Sequence, residues 1–409
     1  MRAALAAVLC WLVGPMAFAQ IPLPDDLALT PPGDSVPADI AAFAGGWGFD
    51  AWGGILSHVL VVERVGADGS AEVVYAIGKA PKWGIEPAWR RMTGHIAGGS
   101  LHLAGTNGVQ IDYELNADGR LHGRYVTTEG WPVYVELSRV SPATPEVIRA
   151  AAATPYEAPW EEIWIPERSA LLEPGDYPIT LQASLYRSPL PGRRPLIIFN
   201  HGSTDGTTPE AVLRSRDEAR VFAALGYSVV APMRKGRGRS EGPYLEGQGR
   251  NWDSQVASGI EDIDAVVTAM RARPDIDADH IVLVGQSRGG FLAVLYAGRH
   301  PANVRGVVNF VGGWWGDSWF HMDVTEFAAF NTTQFAEAGA TARVPMLWLY
   351  GENDPYYSRA HIERNFAAFR ETGGRGRLIV FDGVRNSGHA LLAWPDKWRA
   401  AVADYLAAL

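Results

Sequence analysis

The sequence predicts a small all-β barrel or sandwich followed by an α/β domain, whose mostly parallel sheet is covered by helices on both faces. From about residue 45 to 140, short alternating apolar segments are separated by glycine-containing turns, a pattern typical of antiparallel hairpins. From residue 161 to 409, apolar segments of strand length alternate with stretches of helical length, which is typical of a parallel sheet with crossover helices. A chain of 409 residues is long enough for both domains.

The first nineteen residues have the pattern of a signal peptide. Arg2 gives a basic start, residues 3–13 are apolar, and Ala-Phe-Ala at 17–19 fits a cleavage site before Gln20. The alternatives are an N-terminal core helix or a membrane anchor, although about fifteen apolar residues are few for a bilayer span. We therefore expect export to the periplasm or the medium, with no stable membrane anchor after cleavage and an N-terminal extension over 20–44.

Cysteine content and charge exclude several classes of function. Cys10 is the only cysteine and lies in the expected signal peptide, so cysteine nucleophiles and thiolate metal sites are not expected. The net charge of −9 argues against a nucleic-acid partner. One basic segment, RKGRGR at 234–239, is short and broken by glycine, and we interpret it as a solvated or substrate-facing loop. No His-Glu-x-x-His motif or paired ligand spacing indicates a metal, and no cofactor is implied.

The first domain is predicted over residues 45–140, with six or more strands. Its tryptophans could line a ligand cavity or a carbohydrate platform, but packing in the core is the commoner role. They are Trp47, Trp52, Trp83, Trp89 and Trp131. A linker rich in proline and alanine follows over 141–160, with a short helix predicted over 145–153. The sequence does not indicate what this domain binds.

Ser287 lies in a segment that predicts a nucleophile. The sequence IVLVGQSRGG at 281–290 is a buried strand followed by a Gly-x-Ser-x-Gly turn and a helix. In that context the turn exposes one hydroxyl above the sheet, and the two glycines allow strand and helix to approach closely. The alternative is a serine that only caps the helix.

A serine nucleophile requires a base, and the base requires an orienting acid. His389 lies in a loop between the last strand and the last helix, and Asp354 follows the strand MLWLYG. Glu352 and Asp382 are alternative acids. The chain order Ser287, Asp354, His389 is that of α/β-hydrolase enzymes. The amides of Arg288 and of Ser203, in the loop Asn-His-Gly-Ser at 200–203, are candidates for an oxyanion hole, although that loop could be only a turn.

Residues 161–409 resemble an α/β-hydrolase, near the dienelactone-hydrolase and prolyl-oligopeptidase-like branches. The resemblance rests on five motifs in the expected order: FNHGS, the loop 232–242, VGQSRGG, YGENDPYY and SGHA. The chain departs from dienelactone hydrolases with a cysteine nucleophile, because position 287 is serine, and it has no obvious long helical lid. Residues 312–342 are the candidate for a small cap. Trp314, Trp315 and Trp319 could form a substrate pocket there, or could pack against the sheet.

These observations favour an exported serine hydrolase that cleaves a carboxylic ester without a cofactor. The alternatives are a peptidase of the prolyl-oligopeptidase type and an inactive hydrolase fold that binds a ligand. The expected partner is a small ester or a short peptide, and no oligomeric state is predicted. The motifs do not define the substrate, because pocket shape determines it.

Overall fold

The computed structural model describes residues 21–409 except 82–83, 106–107, 155–158, 172–174, 205–208, 247–250, 300, 316–317, 320–321, 324 and 386. The expected signal peptide, including Cys10, and Trp83 lie outside the described residues. The chain divides into two compact units, one made mainly of residues up to 157 and the other mainly of residues from 158 onward.

The first unit contains a closed barrel of eight antiparallel strands in chain order, because the last strand returns to pair with the first. The strands are β1 (Gly45–Trp52), β2 (Leu56–Val65), β3 (Ser70–Ile77), β4 (Ala88–Ala97), β5 (Ser100–Ala104), β6 (Gln110–Leu115), β7 (Leu121–Val126) and β8 (Pro132–Val140). A short helix, α1 (Ala38–Ala41), precedes them. Of the two predicted architectures, the structure therefore forms the barrel.

One strand of the barrel is buried on both of its faces. Leu60 of β2 packs in the barrel interior, while Val59 and Val61 pack outside it. The outer side is covered by the segment 21–29 and by helix α2 (Pro145–Ala153), whose Ile148 is fully buried. The predicted helix at 145–153 thus exists with those bounds, and it packs on the barrel.

The predicted core role of the barrel tryptophans holds for two of them. Trp47 and Trp52 are fully buried, whereas Trp89 and Trp131 are exposed.

The second unit contains an eight-stranded sheet. Its order is β18-β17-β14-β13-β11-β12-β10-β9. The strands are β9 (Glu161–Ser169), β10 (Tyr177–Tyr186), β11 (Arg194–Asn200), β12 (Ser228–Pro232), β13 (Ile276–Gln286), β14 (Val304–Phe310), β17 (Met346–Gly351) and β18 (Gly376–Phe381). Six are parallel, and β10 and β9 extend the sheet in antiparallel pairing at one edge. Two short strands, β15 (Ser318–Trp319) and β16 (Met322–Asp323), form a separate hairpin.

Helices cover the sheet because each parallel connection needs a crossover. They are α3 (Arg216–Ala224), α4 (Trp252–Arg271), α5 (Arg288–Gly298), α6 (Thr325–Thr341), α7 (Arg359–Glu371) and α8 (Pro395–Ala407), with a 3₁₀ helix at Gly388–Ala393. Among the described residues, no helix combines the length and the apolar composition that a membrane span requires.

The interpretation of residues 312–342 as a cap is wrong for helix α6. Phe335 of α6 is fully buried, and its ring lies 4.7 Å from that of Trp348 in β17 and 5.0 Å from that of Phe291 in α5. Because these contacts are with the sheet and a neighbouring helix, α6 is the crossover helix between β14 and β17.

Candidate active site

Ser287 occupies the turn between the end of β13 and the start of α5. Its backbone has φ 54° and ψ −124°, which is unfavourable for a residue with a side chain. The surrounding chain holds this conformation, because the Ser287 amide donates to the Phe310 carbonyl at 2.9 Å and the Ser287 carbonyl accepts from the Gly313 amide at 3.2 Å. The side chain is half-buried at the carboxyl edge of the sheet, where catalytic groups of such folds lie.

The glycines on either side of Ser287 are required by close packing. A Cβ on Gly285 would overlap the backbone of Gly289, and a Cβ on Gly289 would overlap the carbonyl of Asn200. The turn can therefore form only if both positions lack a side chain, as the sequence pattern predicted.

The structure pairs His389 with Asp354. The Nδ1 atom of His389 lies 2.8 Å from Oδ2 of Asp354, whose side chain has no solvent exposure. The other carboxylate oxygen, Oδ1, accepts from the backbone amides of Tyr356 and Tyr357 at 2.8 and 3.2 Å. Because a carboxylate accepts hydrogen bonds, Nδ1 is the donor of this pair, and Nε2 is the ring nitrogen left to act as a base.

Two contacts tie the histidine loop to its neighbours. The Gln286 side-chain amide, next to Ser287, donates to the carbonyl of His389 at 3.3 Å. Gly388 lies against the acid loop so closely that a Cβ there would be 2.6 Å from the Asp354 amide nitrogen. The three residues predicted to act together are thus held in loops that contact one another.

Neither alternative acid is seen to contact His389. The Glu352 side chain is 59% exposed and approaches Arg359 at 3.8 Å, and the backbone carbonyl of Asp382 accepts from Lys397 at 3.2 Å.

The segments predicted to stabilise an oxyanion lie next to Ser287. Asn200, at the end of β11, is in register with Gly285 of β13. A Cβ on Gly202 would be 3.2 Å from the Cβ of Ser287, so the loop passes directly beside the nucleophile position. Arg288 is the first residue of α5, where amides have no carbonyl partner within the helix.

A buried ion pair, which the sequence did not reveal, supports this loop. The Arg234 guanidinium donates to both carboxylate oxygens of Glu246, and to the carbonyls of His201 and Gly202 at 2.5 and 3.0 Å. Both charged side chains are only 4% exposed. Burial opposes ionisation of Glu246, but the charge of Arg234 outweighs it and places the pKa of this carboxyl below its ordinary value.

His201 is part of this support and is uncharged. Its Nε2 accepts from the Arg234 amide at 3.1 Å, so Nδ1 donates to the Gly202 carbonyl at 2.6 Å. Burial, and then the nearby Arg234 charge, lower the pKa of His201 to about 3. A histidine held neutral with both nitrogens engaged in backbone hydrogen bonds has a structural role here.

The interpretation of residues 234–239 as a solvated or substrate-facing loop is wrong for most of the loop. Lys235 is buried and forms ion pairs with Glu167 and Asp262, the latter at 2.7 Å. The Arg237 guanidinium carbon lies 3.6 Å from the ring centroid of Tyr244. Buried charges require partners, and those of Lys235 come from segments distant in the sequence.

Tyr357 is a further residue beside Ser287. Its side chain is buried and its hydroxyl interacts with Ser287. Burial, and then the Asp354 charge, raise the pKa of Tyr357, so this hydroxyl keeps its proton. Tyr357 is the last residue of the motif YGENDPYY, and that motif is the feature of the sequence that could have identified it as a site residue.

Of the three tryptophans predicted to form a substrate pocket, the structure describes the surroundings of two. Trp314 is 2% exposed and its ring lies 5.8 Å from that of Phe291, so it packs in the core. Trp315 is half-buried, and the Arg288 guanidinium carbon lies 5.5 Å from its ring centroid. The Trp319 side chain lies outside the described residues.

In the described part of the chain, no group of three or more His, Cys, Asp or Glu side chains is arranged to hold a metal ion.

Replacing Arg234 with Met should destabilise the protein strongly. Glu246 would remain buried without its counter-charge, and two carbonyls would lose a donor, so we expect a loss of about 3–5 kcal/mol in the free energy of unfolding. Chemical denaturation of the wild type and the variant measures this difference in the free energy of unfolding. The matched control is Arg239→Met, because Arg239 is exposed and its ion pair with Glu162 should contribute about 1 kcal/mol or less. Equal losses in the two variants would contradict the supporting role of Arg234.

Comparison with known proteins gives a family match within the second unit. Residues 193–330 match the family model for serine aminopeptidase, S33. A protein of Nocardia uniformis subsp. tsuyamanensis named as an esterase, NocK, is 24% identical over 225 residues, which are 53% of this chain and 56% of that protein. Dipeptidyl-peptidase 5 of Porphyromonas gingivalis is 31% identical over 111 residues, or 26% of this chain and 15% of that protein. The chain thus spans about half of the first relative and a small part of the second.

Solved structures with a similar fold include esterase Pf2001 of Pyrococcus furiosus. It is 15% identical, with a TM-score of 0.45, and the similarity covers 61% of this chain and 90% of that one. A Klebsiella pneumoniae protein described as a dienelactone hydrolase is 19% identical, with a TM-score of 0.42 over 60% of this chain and 100% of that one. The second domain has the α/β-hydrolase fold, as its sheet order shows, and the match to the serine aminopeptidase family model lies within it.

Proposed function

We propose that the protein hydrolyses carboxylic esters through an acyl-enzyme on Ser287. The observation that carries the proposal is the hydrogen bond of 2.8 Å between His389 and the fully buried Asp354 carboxylate. It directs the Nε2 atom of the imidazole away from the acid, as a general base requires. The strained turn at Ser287 supports the proposal, because strain of this kind is typical of the nucleophile position in this fold.

The geometry supports a two-step reaction. In the first step Ser287 Oγ attacks the ester carbonyl while His389 Nε2 takes the hydroxyl proton, and the Arg288 and Ser203 amides donate to the oxyanion. The bond from the carbonyl carbon to the alcohol oxygen then breaks, and His389 returns the proton to the departing alcohol. In the second step a water attacks the acyl-enzyme by the same route, releasing the carboxylic acid and restoring Ser287. Asp354 keeps the imidazole in one tautomer throughout.

Hydrolysis of peptides is the second candidate, and the serine aminopeptidase family match favours it. We rank it lower, because the eight-stranded barrel is not the large propeller of prolyl-oligopeptidases.

The two candidates are separated by kcat/KM for p-nitrophenyl esters and for p-nitroanilides of proline and of alanyl-proline. The proposal predicts faster turnover of the esters, above the background of a Ser287→Ala control. Faster turnover of the anilides would favour the peptidase, and no turnover of either class would favour an inactive binding protein.

We also propose export, on the pattern of residues 1–19. N-terminal sequencing of protein recovered from the periplasm or the medium should give Gln20 as the first residue. A chain that begins at Met1 in the cytoplasmic fraction would contradict it.

Replacing Trp315 with Ala should change substrate preference. The residue follows β14 closely and its ring lies near Arg288, adjacent to the nucleophile. Removing the ring enlarges any acyl pocket there, so we expect the ratio of kcat/KM between long and short p-nitrophenyl esters to change by about threefold to tenfold. Trp164→Ala is the matched control, since Trp164 is an exposed residue of β9. A ratio of kcat/KM that does not change across chain lengths would show that Trp315 does not line the acyl pocket.

A further inference from the structure

The barrel of the first unit has a cavity of about 410 Å³ that opens to solvent, a size typical of small-molecule sites. Apolar side chains line much of it, among them Leu56, Ile77 and Ile111, and the rings of Tyr75 and Tyr125 complete these walls. Trp89, another lining residue, is 42% exposed, so the cavity can be reached from solvent. Nothing in the hydrolase chemistry uses this space.

A polar contact across the barrel interior lies next to the cavity. The Tyr113 hydroxyl of β6 lies 2.7 Å from Nε2 of His58 in β2, and Nδ1 of His58 donates to the Ala76 carbonyl at 2.8 Å. Burial lowers the pKa of His58 to about 4, so it is uncharged at neutral pH. The His58 ring lies 4.4 Å from that of the cavity residue Tyr75. This contact therefore places no charge beside the cavity.

Arg90 contributes a cation to the cavity wall. Successive residues of a strand point to opposite faces of the sheet. The adjacent residues Arg90 and Arg91 of β4 therefore lie on opposite faces of the barrel wall. Arg91 faces outward and forms ion pairs with Asp26 and Glu63, each at 2.9 Å. Arg90 lines the cavity, with its guanidinium carbon 5.5 Å from the Tyr75 ring centroid.

The Arg90 cation has no protein counter-charge among the described residues. Among the described residues, the contact seen for its guanidinium is with the Tyr75 ring, and its Nε atom is buried without a hydrogen-bond partner. A half-buried guanidinium beside apolar walls is stabilised by a counter-charge, and its planar fork of donors matches a carboxylate.

We propose that the barrel cavity binds a small organic acid, a carboxylate on an apolar body, with the carboxylate on Arg90 and the body against Leu56, Ile77 and Ile111. The charge of Arg90 favours an anion, and the apolar walls remove the apolar body of the ligand from water. The residues of this site all belong to the first unit, and the proposal does not depend on the reaction proposed for the second domain.

Isothermal titration of the full-length protein with decanoate and with 1-decanol tests the proposal. The two ligands share an apolar chain and differ in charge. We expect the wild type to bind decanoate at least roughly tenfold more tightly than 1-decanol, which corresponds to one charge-assisted pair. Arg90→Gln should lose this preference, whereas Arg91→Gln, on the outer face of the same strand, should keep it.

Two more variants locate the site. Ala88 lines the cavity two residues before Arg90, so Ala88→Trp should fill the cavity and abolish binding of both ligands. Arg90→Lys retains the cation and should retain most of the preference for decanoate, which guards against a misfolded Arg90→Gln. Ester hydrolysis should be unchanged in all of these variants. Absence of decanoate binding, equal binding of both ligands by the wild type, or decanoate binding that survives Ala88→Trp would overturn the proposal.

Discussion

Replacing Ser287 with Ala is expected to lower kcat for ester hydrolysis by about a million-fold, because the variant has no oxygen to form the acyl-enzyme. The oxyanion donors are backbone amides and would remain, so about a thousand-fold acceleration over the uncatalysed reaction can persist. Steady-state hydrolysis of p-nitrophenyl butyrate, with enzyme in large amounts for the variant, measures the change.

The matched control is Ser254→Ala, which removes a hydroxyl from the first turn of α4. It should hydrolyse the ester at the wild-type rate. A Ser287→Ala variant that is folded and loses less than about tenfold in kcat would exclude Ser287 as the nucleophile.

Replacing Asp354 with Asn is expected to lower kcat by about a thousand-fold to ten-thousand-fold, with a small effect on KM. The two backbone amides that now donate to Oδ1 would hold the carbonyl oxygen of the asparagine. Its NH₂ group would then face His389 and donate to Nδ1, which forces the proton onto Nε2. An imidazole in that tautomer cannot take the proton from Ser287.

The controls for Asp354 are the two alternative acids. Glu352→Gln and Asp382→Asn preserve size and remove charge in the same way, and both should retain wild-type kcat, because neither side chain is seen to contact His389. If one of them lost activity while Asp354→Asn retained it, the acid would have been assigned to the wrong residue.

The parts of the site that could be predicted from sequence are those determined by neighbouring residues. Gly285, Ser287 and Gly289 form one turn whose steric requirements are local. Asp354 and His389 each follow a recognisable strand, and the ends of parallel strands meet at one edge of a sheet. The order of the residues and the assignment of the strands were therefore enough to predict that these positions lie close together.

What sequence could not reveal depends on contacts between distant segments. Strands β1 and β4 have weak strand patterns in sequence, because β1 is rich in glycine and β4 carries polar residues such as Arg90 at cavity positions. The Arg234–Glu246 pair has its role because it is buried beside the loop that carries His201 and Gly202. The Tyr357 hydroxyl has its role because it is buried beside Ser287. Residue types alone do not report burial, so charged residues in a basic segment suggested an exposed loop.

The most direct test of the account is labelling of the folded protein with a fluorophosphonate, followed by peptide mapping. The reagent forms a stable adduct only with an activated serine. The account predicts a single adduct on Ser287 that is absent from Ser287→Ala and forms much more slowly in Asp354→Asn. An adduct on another serine, or none on the folded wild-type protein, would contradict an activated nucleophile at Ser287.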